Sequence, residues 1–574
     1  MSGQTAVVIG AGLAGLTTAS LLVQQGWSVD ILEAHVDPGG CAATFRRGGY
    51  AFDAGATLFA GFAPQDPHGL VGAALGLTWP VRPLAPDGPA MRVLVEDASD
   101  DPGGSGRWEV VDCYGDVDRW RAERRRAFPG AAAERFWQDQ EVVAKRLWPL
   151  AARVPVWPPT GVRDLWRLAG FGLQTLRQSP ALATLAPYWR ATVAGRLAAA
   201  GVGEECGAGP GSAALGSAAF GSAAFGSAQR DGALYGSGVA ASPEGLGDAR
   251  LRRFCDAQLL ITAQTTSASA SWLYGAVALD LARHGPVHVA GGAGALAETL
   301  LQRYLELGGR IHFRTRAEHV EVNGRGRVVA VRDQRGGRWP AAGKATAVVA
   351  NLPPANLAEL LGESCPTPFR RRVARAPAAW GAFTLYLGVD EELVAGSALH
   401  HQVVTGVGPL GEGRSVFVSV SPAWDRGRAP AGQRAVTVST HTAVEPWWAF
   451  YRQRTVVARE DYRKRRAEYA ARCLALAARA LPGLAERPQG IRMTLPGTPI
   501  TFARFTRRRE GRVGGLPQTS LGAAFPARVL GNLWLVGDYI FPGQSSASTL
   551  LGALRVTREI TASTETGPGA GERS

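Results

Sequence analysis

The chain opens on an apolar, β-branched run, Ala6 to Ile9, with no polar alternation, the pattern of a buried strand. Gly10, Gly12 and Gly15 follow at once, and Leu16 to Gln25 carries apolar positions at helical spacing. A second short strand, Ser28 to Leu32, ends in Glu33. Strand, glycines, helix, strand and acid, in that order, predict a dinucleotide-binding unit. The glycines permit a tight turn, close approach of backbone to a pyrophosphate, and close packing of helix on strand. The helix N-terminus offers unpaired N–H groups and partial positive charge to phosphates. Glu33 can accept both ribose hydroxyls, and its charge disfavours a 2′-phosphate. Gly39 and Gly40, just past the acid, let a second backbone segment pass close to the cofactor.

Beyond this unit the pattern alternates between periods. Met91 to Val95 and Trp108 to Val111 read as short strands, Asp116 to Lys145 and Leu251 to Arg283 as helices. Val287 to Ala297 holds a second strand, glycine turn and helix, but Ala297 replaces the third glycine and no acid follows the next strand, so a second dinucleotide site is not expected. Gly406, Gly408 and Gly411 enclose Pro409 and predict a loop. Phe383 to Asp390, Ser415 to Val420 and Ala435 to His441 are alternating or β-branched strands at intervals suited to one antiparallel sheet, a wall for an elongated apolar ligand. His441, at a strand end, reads as a general base or a structural histidine. Asp461 to Ala480 is a long amphipathic helix. Asn532 to Val536 is an apolar strand ending in Gly537-Asp538, and the helix Ser546 to Ile560 follows Gly543.

Composition narrows the class. At 574 residues the chain is too long for one core and suggests two intertwined domains. The net charge of +14 rests almost wholly on arginine, since Lys145, Lys344 and Lys464 are its lysines. Such charge suits nucleic acid, an anionic membrane surface or an Arg-rich codon usage, but no nucleic-acid motif accompanies it, so no nucleic-acid partner is expected. Six cysteines without a C-x-x-C pair point to a reducing cytosol and to no metal site. Cys41 adjoins the glycine pair, as packing or near the cofactor. No run of 18 apolar residues appears and the N-terminus is no signal peptide, so the expected localisation is cytoplasmic.

Two stretches stand apart. Between Ala144 and Ala200, Trp148, Trp157, Trp166 and Trp189 alternate with arginines, the composition of an interfacial anchor or of a lid helix. Gly211, Gly216 and Gly221 each begin a five-residue repeat rich in Ser and Ala, a period that fits neither helix nor strand. Residues 204–248 read as a flexible insertion and 563–574 as a disordered tail.

The N-terminal fingerprint, Gly39-Gly40-Cys41, Asp53-Ala-Gly55-Ala-Thr57, the block from Ser419 to Asp425, Ser439-Thr-His441, and the C-terminal Gly514-Gly515, Gly537-Asp538 and Pro542-Gly543 together resemble the FAD-dependent carotenoid desaturases and isomerases of the amine-oxidase-like flavoproteins. Phe254 to Leu260 and Gln518 resemble most the branch that introduces the 3′,4′ double bond. Ala34-His35 stands where relatives have Ala-Arg, and Ser545 to Ser548 where many are glycine-rich. The resemblance implies an α/β fold. A Rossmann-like FAD-binding domain (1–60, 284–370, 500–562) is interleaved with an α+β substrate domain (61–203, 249–283, 371–499) with a mixed or antiparallel sheet. It implies FAD held at both ends of the chain, by Gly10, Gly12, Leu13, Ala14, Gly15, Glu33, Gly39, Gly40, Gly537 and Asp538, with the backbone at Val320 meeting the adenine. It implies a carotenoid substrate, lycopene-derived, monocyclic or hydroxylated, drawn from the bilayer surface by a peripherally bound enzyme, and oxygen or a quinone as electron acceptor. A cis–trans isomerase, a phytoene desaturase-type enzyme and a non-catalytic prenyl-lipid escort share the fold and remain alternatives. Desaturation demands no strong side-chain base, and the sequence identifies none.

Overall fold

Thr5–Ile9 pairs in parallel with Ser28–Leu32 on one side and Ala347–Ala350 on the other. In this computed structural model they are the middle of a six-stranded sheet. Its order is Arg528–Leu530, Leu533–Leu535, Ala347–Ala350, Thr5–Ile9, Ser28–Leu32, Arg310–His312. Arg528–Leu530 runs antiparallel at one edge and the rest are parallel. Strands covered on both faces need apolar residues throughout, and Val7, Val8, Ile31, Val348 and Val349 are fully buried. Parallel register brings several carboxyl ends to one place, where ligands bind in open α/β sheets. Gly10, Asn351 and Gly537 stand just beyond three of those ends. The structure describes residues 3–55, 57–84, 88–97, 106–203, 243–340, 345–453 and 455–565.

A second sheet has seven strands, ordered Ile491–Gly497, Gly381–Asp390, Gln433–Thr442, Ser415–Val420, His400–Val404, Met91–Glu96, Trp108–Cys113. It is mixed, because His400–Val404 pairs in parallel with Met91–Glu96. The period of two sorts its residues onto opposite faces. Phe383, Leu385, Leu387, Val436, Val438 and Val418 face a core closed by Trp447 and by the helix Val456–Ala480 through Tyr469, Cys473 and Ala477. Ala382, Thr384, Tyr386, Ser439, Phe417 and Gln402 face a cavity. Opposite them stand the helices Pro243–Ala263 and Trp272–Ala278.

Several boundaries differ from the sequence reading. The helix expected over Asp116 to Lys145 is two, Val117–Ala127 and Ala131–Ala151. Pro129 lacks an N–H and disfavours helix at Phe128, whose ψ is 71°. The stretch from Leu251 to Arg283 breaks at Gln264, at φ +57°. Pro243, within the stretch expected as a flexible insertion, begins a helix, a position that proline's missing N–H and fixed φ favour; residues 204–242 lie outside the described residues. The last helix is Ser546–Glu565, so 563–565 are helical and 566–574 lie outside the described residues. Thr561 and Thr564 hold its final turn by donating hydroxyls to Thr557, Arg558, Ile560 and Thr561 carbonyls.

Candidate active site

The N-terminal glycine turn is locked from behind by one residue. A Cβ on Gly12 would lie 2.4 Å from Asn351 Nδ2, and one on Gly15 would lie 2.2 Å from the Gly10 carbonyl. Gly10 itself has φ +98°, a conformation that side chains rarely adopt. Gly15 therefore acts in helix-on-strand packing, whereas Gly10, Gly12, Leu13 and Ala14 line the cavity. Gly12 caps the helix Leu13–Gln24 without a side-chain bond, which leaves its first N–H groups for a phosphate. Glu33 accepts the Ala11 and His35 N–H groups, each at 2.7 Å, and its carboxylate is thereby aimed into the cavity. Gly39, at φ +106°, donates its N–H to the Ala11 carbonyl at 2.8 Å and draws the second segment against the first.

The C-terminal end closes on the same point. A Cβ on Gly537 would meet Asn351 Oδ1 at 3.0 Å, so Asn351 lies against the glycine turn and the Gly537–Asp538 turn together. Asp538 accepts two bonds from Arg508 Nη2, both 2.6 Å, and Arg508 Nη1 donates to the Gly514 carbonyl at 2.9 Å. Burial opposes the Arg508 charge, but the neighbouring Asp538 carboxylate outweighs it and raises the Arg508 pKa. Cys41 borders this pair and lines the cavity, and burial raises its thiol pKa, so the thiol is neutral. Ser545, Ser546 and Ala547, at the start of the last helix, also line the cavity.

The second glycine turn is occupied from within the chain: Asp53 accepts the Ala293 N–H at 2.8 Å and Thr44 the Gly294 N–H at 2.9 Å. The expected contact at Val320 is displaced. Val320 is fully buried in the core, and Thr315 to Glu318 reach the cavity instead, because Thr315 N–H bonds the Glu33 carbonyl at 2.8 Å and swings that end of the segment inward. Arg508, Asn351 and Gln264 were not singled out from sequence. Arg508 sits in a run of three arginines and Asn351 at a strand end, where neither pattern marks a site.

The cavity is a single space of about 1770 Å³, larger than the roughly 300–1,000 Å³ of a site for one small ligand. One end holds Glu33 and the two glycine turns; the other runs between sheet and helices past Phe254, Leu260, Leu273 and Trp120. Glycine turns that backbone or ligand must approach closely, a half-buried acid for the ribose, and a second Gly-Asp turn beside them fit FAD.

Comparison with known proteins agrees. Residues 8–70 match the NAD(P)-binding Rossmann-like domain family, and residues 239–489 match the flavin containing amine oxidoreductase family. Among solved structures, putrescine oxidase bound to putrescine superposes with a TM-score of 0.57 at 13% identity, covering 98% of this chain and 99% of that one. An oxidoreductase from Methanosarcina mazei superposes at 0.58 and 14%, covering 97% and 100%. The protein is an FAD-dependent oxidoreductase of amine-oxidase-like fold. By sequence it is similar to chloroplastic prolycopene isomerase of Arabidopsis thaliana, 22% identical over 97% of this chain and 82% of that protein. A stretch of 50 residues, 9% of this chain and 8% of that protein, is 48% identical to all-trans-retinol 13,14-reductase of Rattus norvegicus.

Where the channel of this flavoprotein meets the cofactor end, its lining turns polar. His441 faces the cavity with a ring nitrogen 3.2 Å from Gln264 Nε2. Burial lowers its pKa to about 4, so the imidazole is neutral at pH 7. Gln544 Nε2 donates to the Ile261 carbonyl at 2.8 Å, and Gln264 Oε1 has no hydrogen-bond partner among the described residues. Among those residues no cluster of three His, Cys, Asp or Glu could hold a metal ion.

Proposed function

We propose that this protein is a carotenoid desaturase that introduces a C-3′,4′ double bond. The supporting observation is the single cavity, which joins a dinucleotide site to a long apolar channel. Bound FAD supplies a two-electron acceptor for a hydride equivalent. The chain's own residues do the rest. Leu260 and Leu273 hold a hydrocarbon and exclude water, and Ser439 and Thr384 leave room for a flat polyene over the sheet. His441, neutral and facing the channel, is placed to receive a proton. The electrons leave to oxygen or a membrane quinone. Full-length similarity to prolycopene isomerases supports a second reading, cis–trans isomerisation without net oxidation. Protein reconstituted with FAD and liposomes carrying lycopene or its 1-hydroxy derivative separates them. Desaturation lengthens the conjugation, shifts absorption to the red and removes two hydrogens by mass. An unchanged mass with altered cis content supports the isomerase, and no conversion of either substrate overturns both.

A substrate this apolar must enter from a bilayer. The helix Val162–Gln178 buries Thr175 but leaves Trp166 75% exposed, with Val162, Leu165, Leu173 and Leu176 beside it and Arg163, Arg167 and Arg177 also in solvent. Phe171 of the same helix lines the cavity, as do Trp157 and Trp189. An apolar patch of this kind, rimmed by arginine at a channel mouth, suits an anionic membrane surface. Trp148 is instead tied into the protein, since it stacks on His284 at 3.6 Å and donates to Asp66. Among the described residues no helix is long and apolar enough to cross a membrane. Changing Leu165, Trp166 and Arg167 together to Ala should weaken flotation with anionic liposomes roughly a hundredfold, with the flavin spectrum unchanged. Undiminished flotation moves the docking face elsewhere.

A further inference from the structure

The cavity floor contains a straight row. Thr384 sits opposite Ser439, Ser439 opposite Phe417, and Phe417 opposite Gln402, so four successive strands present four cavity residues in line. The row starts beside the cofactor wall, where Tyr386, on the same strand and face as Thr384, donates its hydroxyl to the Ala54 carbonyl at 3.2 Å. Strands lie about 4.8 Å apart, so Gln402 stands roughly 14 Å from that strand. Beyond it the row continues as Val93 and Val111, which are fully buried in the core and leave the cavity. At that point Gln258, from the opposing helix, donates to Gln402 Oε1, and Gln402 Nε2 donates to the Ala257 carbonyl at 2.9 Å. Gln402 is 2% exposed and held at both ends of its amide. Past the pair the cavity is lined by Met91, Cys113 and Trp120, and Met91 and Cys113 face each other two residues along their strands from Val93 and Val111, so the lining leaves the line of the row. A rigid, linear ligand lying along the row does not follow that turn.

We propose that the Gln258–Gln402 amide pair is an end stop for a linear polyene. By fixing where one end of the chain halts, it fixes which carbon–carbon bond lies at the cofactor. The inference rests on the polyene reading of the site and adds a specificity-determining pair to it. Two cavity-lining amides bridged across an apolar channel have no role in binding FAD, whose site lies at the other end, and a hydrocarbon needs no amide partner. Their position at the end of the row, joined wall to wall, accounts for both.

The test compares wild type, Gln258→Ala and Gln402→Leu, each purified with FAD and given liposomes holding all-trans acyclic C30 or C40 polyenes. Binding is followed by the change in flavin absorbance, and products by mass, absorption and position of the altered bond. Gln258→Ala opens the way to Met91 and Cys113, and should shift the C40 to C30 preference in kcat/KM by about tenfold or more and move the altered bond along the chain. Gln402→Leu keeps the bulk but loses the tie, and should move the altered bond without loss of flavin. The same bond and the same preference in both variants, with normal polyene binding, overturns the end stop. Wild type that neither binds nor converts either polyene overturns the functional reading itself, and the stop with it.

Discussion

Replacing Arg508 with Met is expected to yield protein that has lost most of its flavin. Asp538 is held by that guanidinium through two 2.6 Å contacts, and both side chains are more than four-fifths buried. Removing one member of such a pair leaves a charge without a partner, at a cost of about 3–5 kcal/mol. The cost falls on the turn that carries Gly537, which packs against Asn351 and through it on the N-terminal glycine turn. FAD affinity should therefore drop roughly a hundredfold or more, because every 1.4 kcal/mol is a factor of ten. Flavin absorbance at purification and titration of apoprotein with FAD measure this. The double change Arg508→Met with Asp538→Leu removes both charges and should recover much of the thermal stability, but not the flavin. If Arg508→Met retains full flavin and an unchanged Tm, the pair has no role in the cofactor site.

The second large effect is acid sensitivity. Burial lowers the pKa of His68 and His400 to about 3 and of His401 to about 4, from 6.5. All three are at most 2% exposed and neutral in the native state. In the unfolded chain they bind protons near pH 6.5, so below that pH the unfolded state holds more protons and gains relative stability. Their contribution is complete above pH 6.5 and is lost as pH falls through 6.5 toward 4 for His401 and toward 3 for His68 and His400. At pH 5 each costs about 2 kcal/mol, and the three about 6 kcal/mol together, which approaches the whole stability of an ordinary domain. Carboxylates with lowered pKa, such as Asp30 and Glu141, act in the same direction at lower pH. His441, whose pKa burial lowers to about 4, acts in the same direction. Urea unfolding followed by tryptophan fluorescence at pH 7.5, 6 and 5 should show a steep fall, and His400→Gln should lessen it. Equal stability at pH 7.5 and 5 refutes the burial of these imidazoles.

What the sequence determines by itself is local. The order Ile9, Gly10, Gly12, Gly15, Glu33 announces a cofactor turn because each residue acts within its own strand–turn–helix unit. The β-branched strands from Phe383 to His441 likewise declare themselves, since a period of two needs no distant partner. The same holds for Gly537 and Asp538 at the end of an apolar strand. Only the tertiary structure shows that Asn351 lies against Gly12, Gly15 and Gly537 together, since those contacts span more than 180 residues. It alone pairs Arg508 with Asp538 out of a run of arginines of identical composition. It also fills the second glycine turn with Asp53 and Thr44, and replaces Val320 by Thr315 to Glu318 at the cavity wall. The row from Thr384 to Gln402 depends on the register of four strands, one of them, His400–Val404, not recognised from the sequence at all. Register is a property of pairs of strands, set by turns and by packing on both faces, and no single strand carries it.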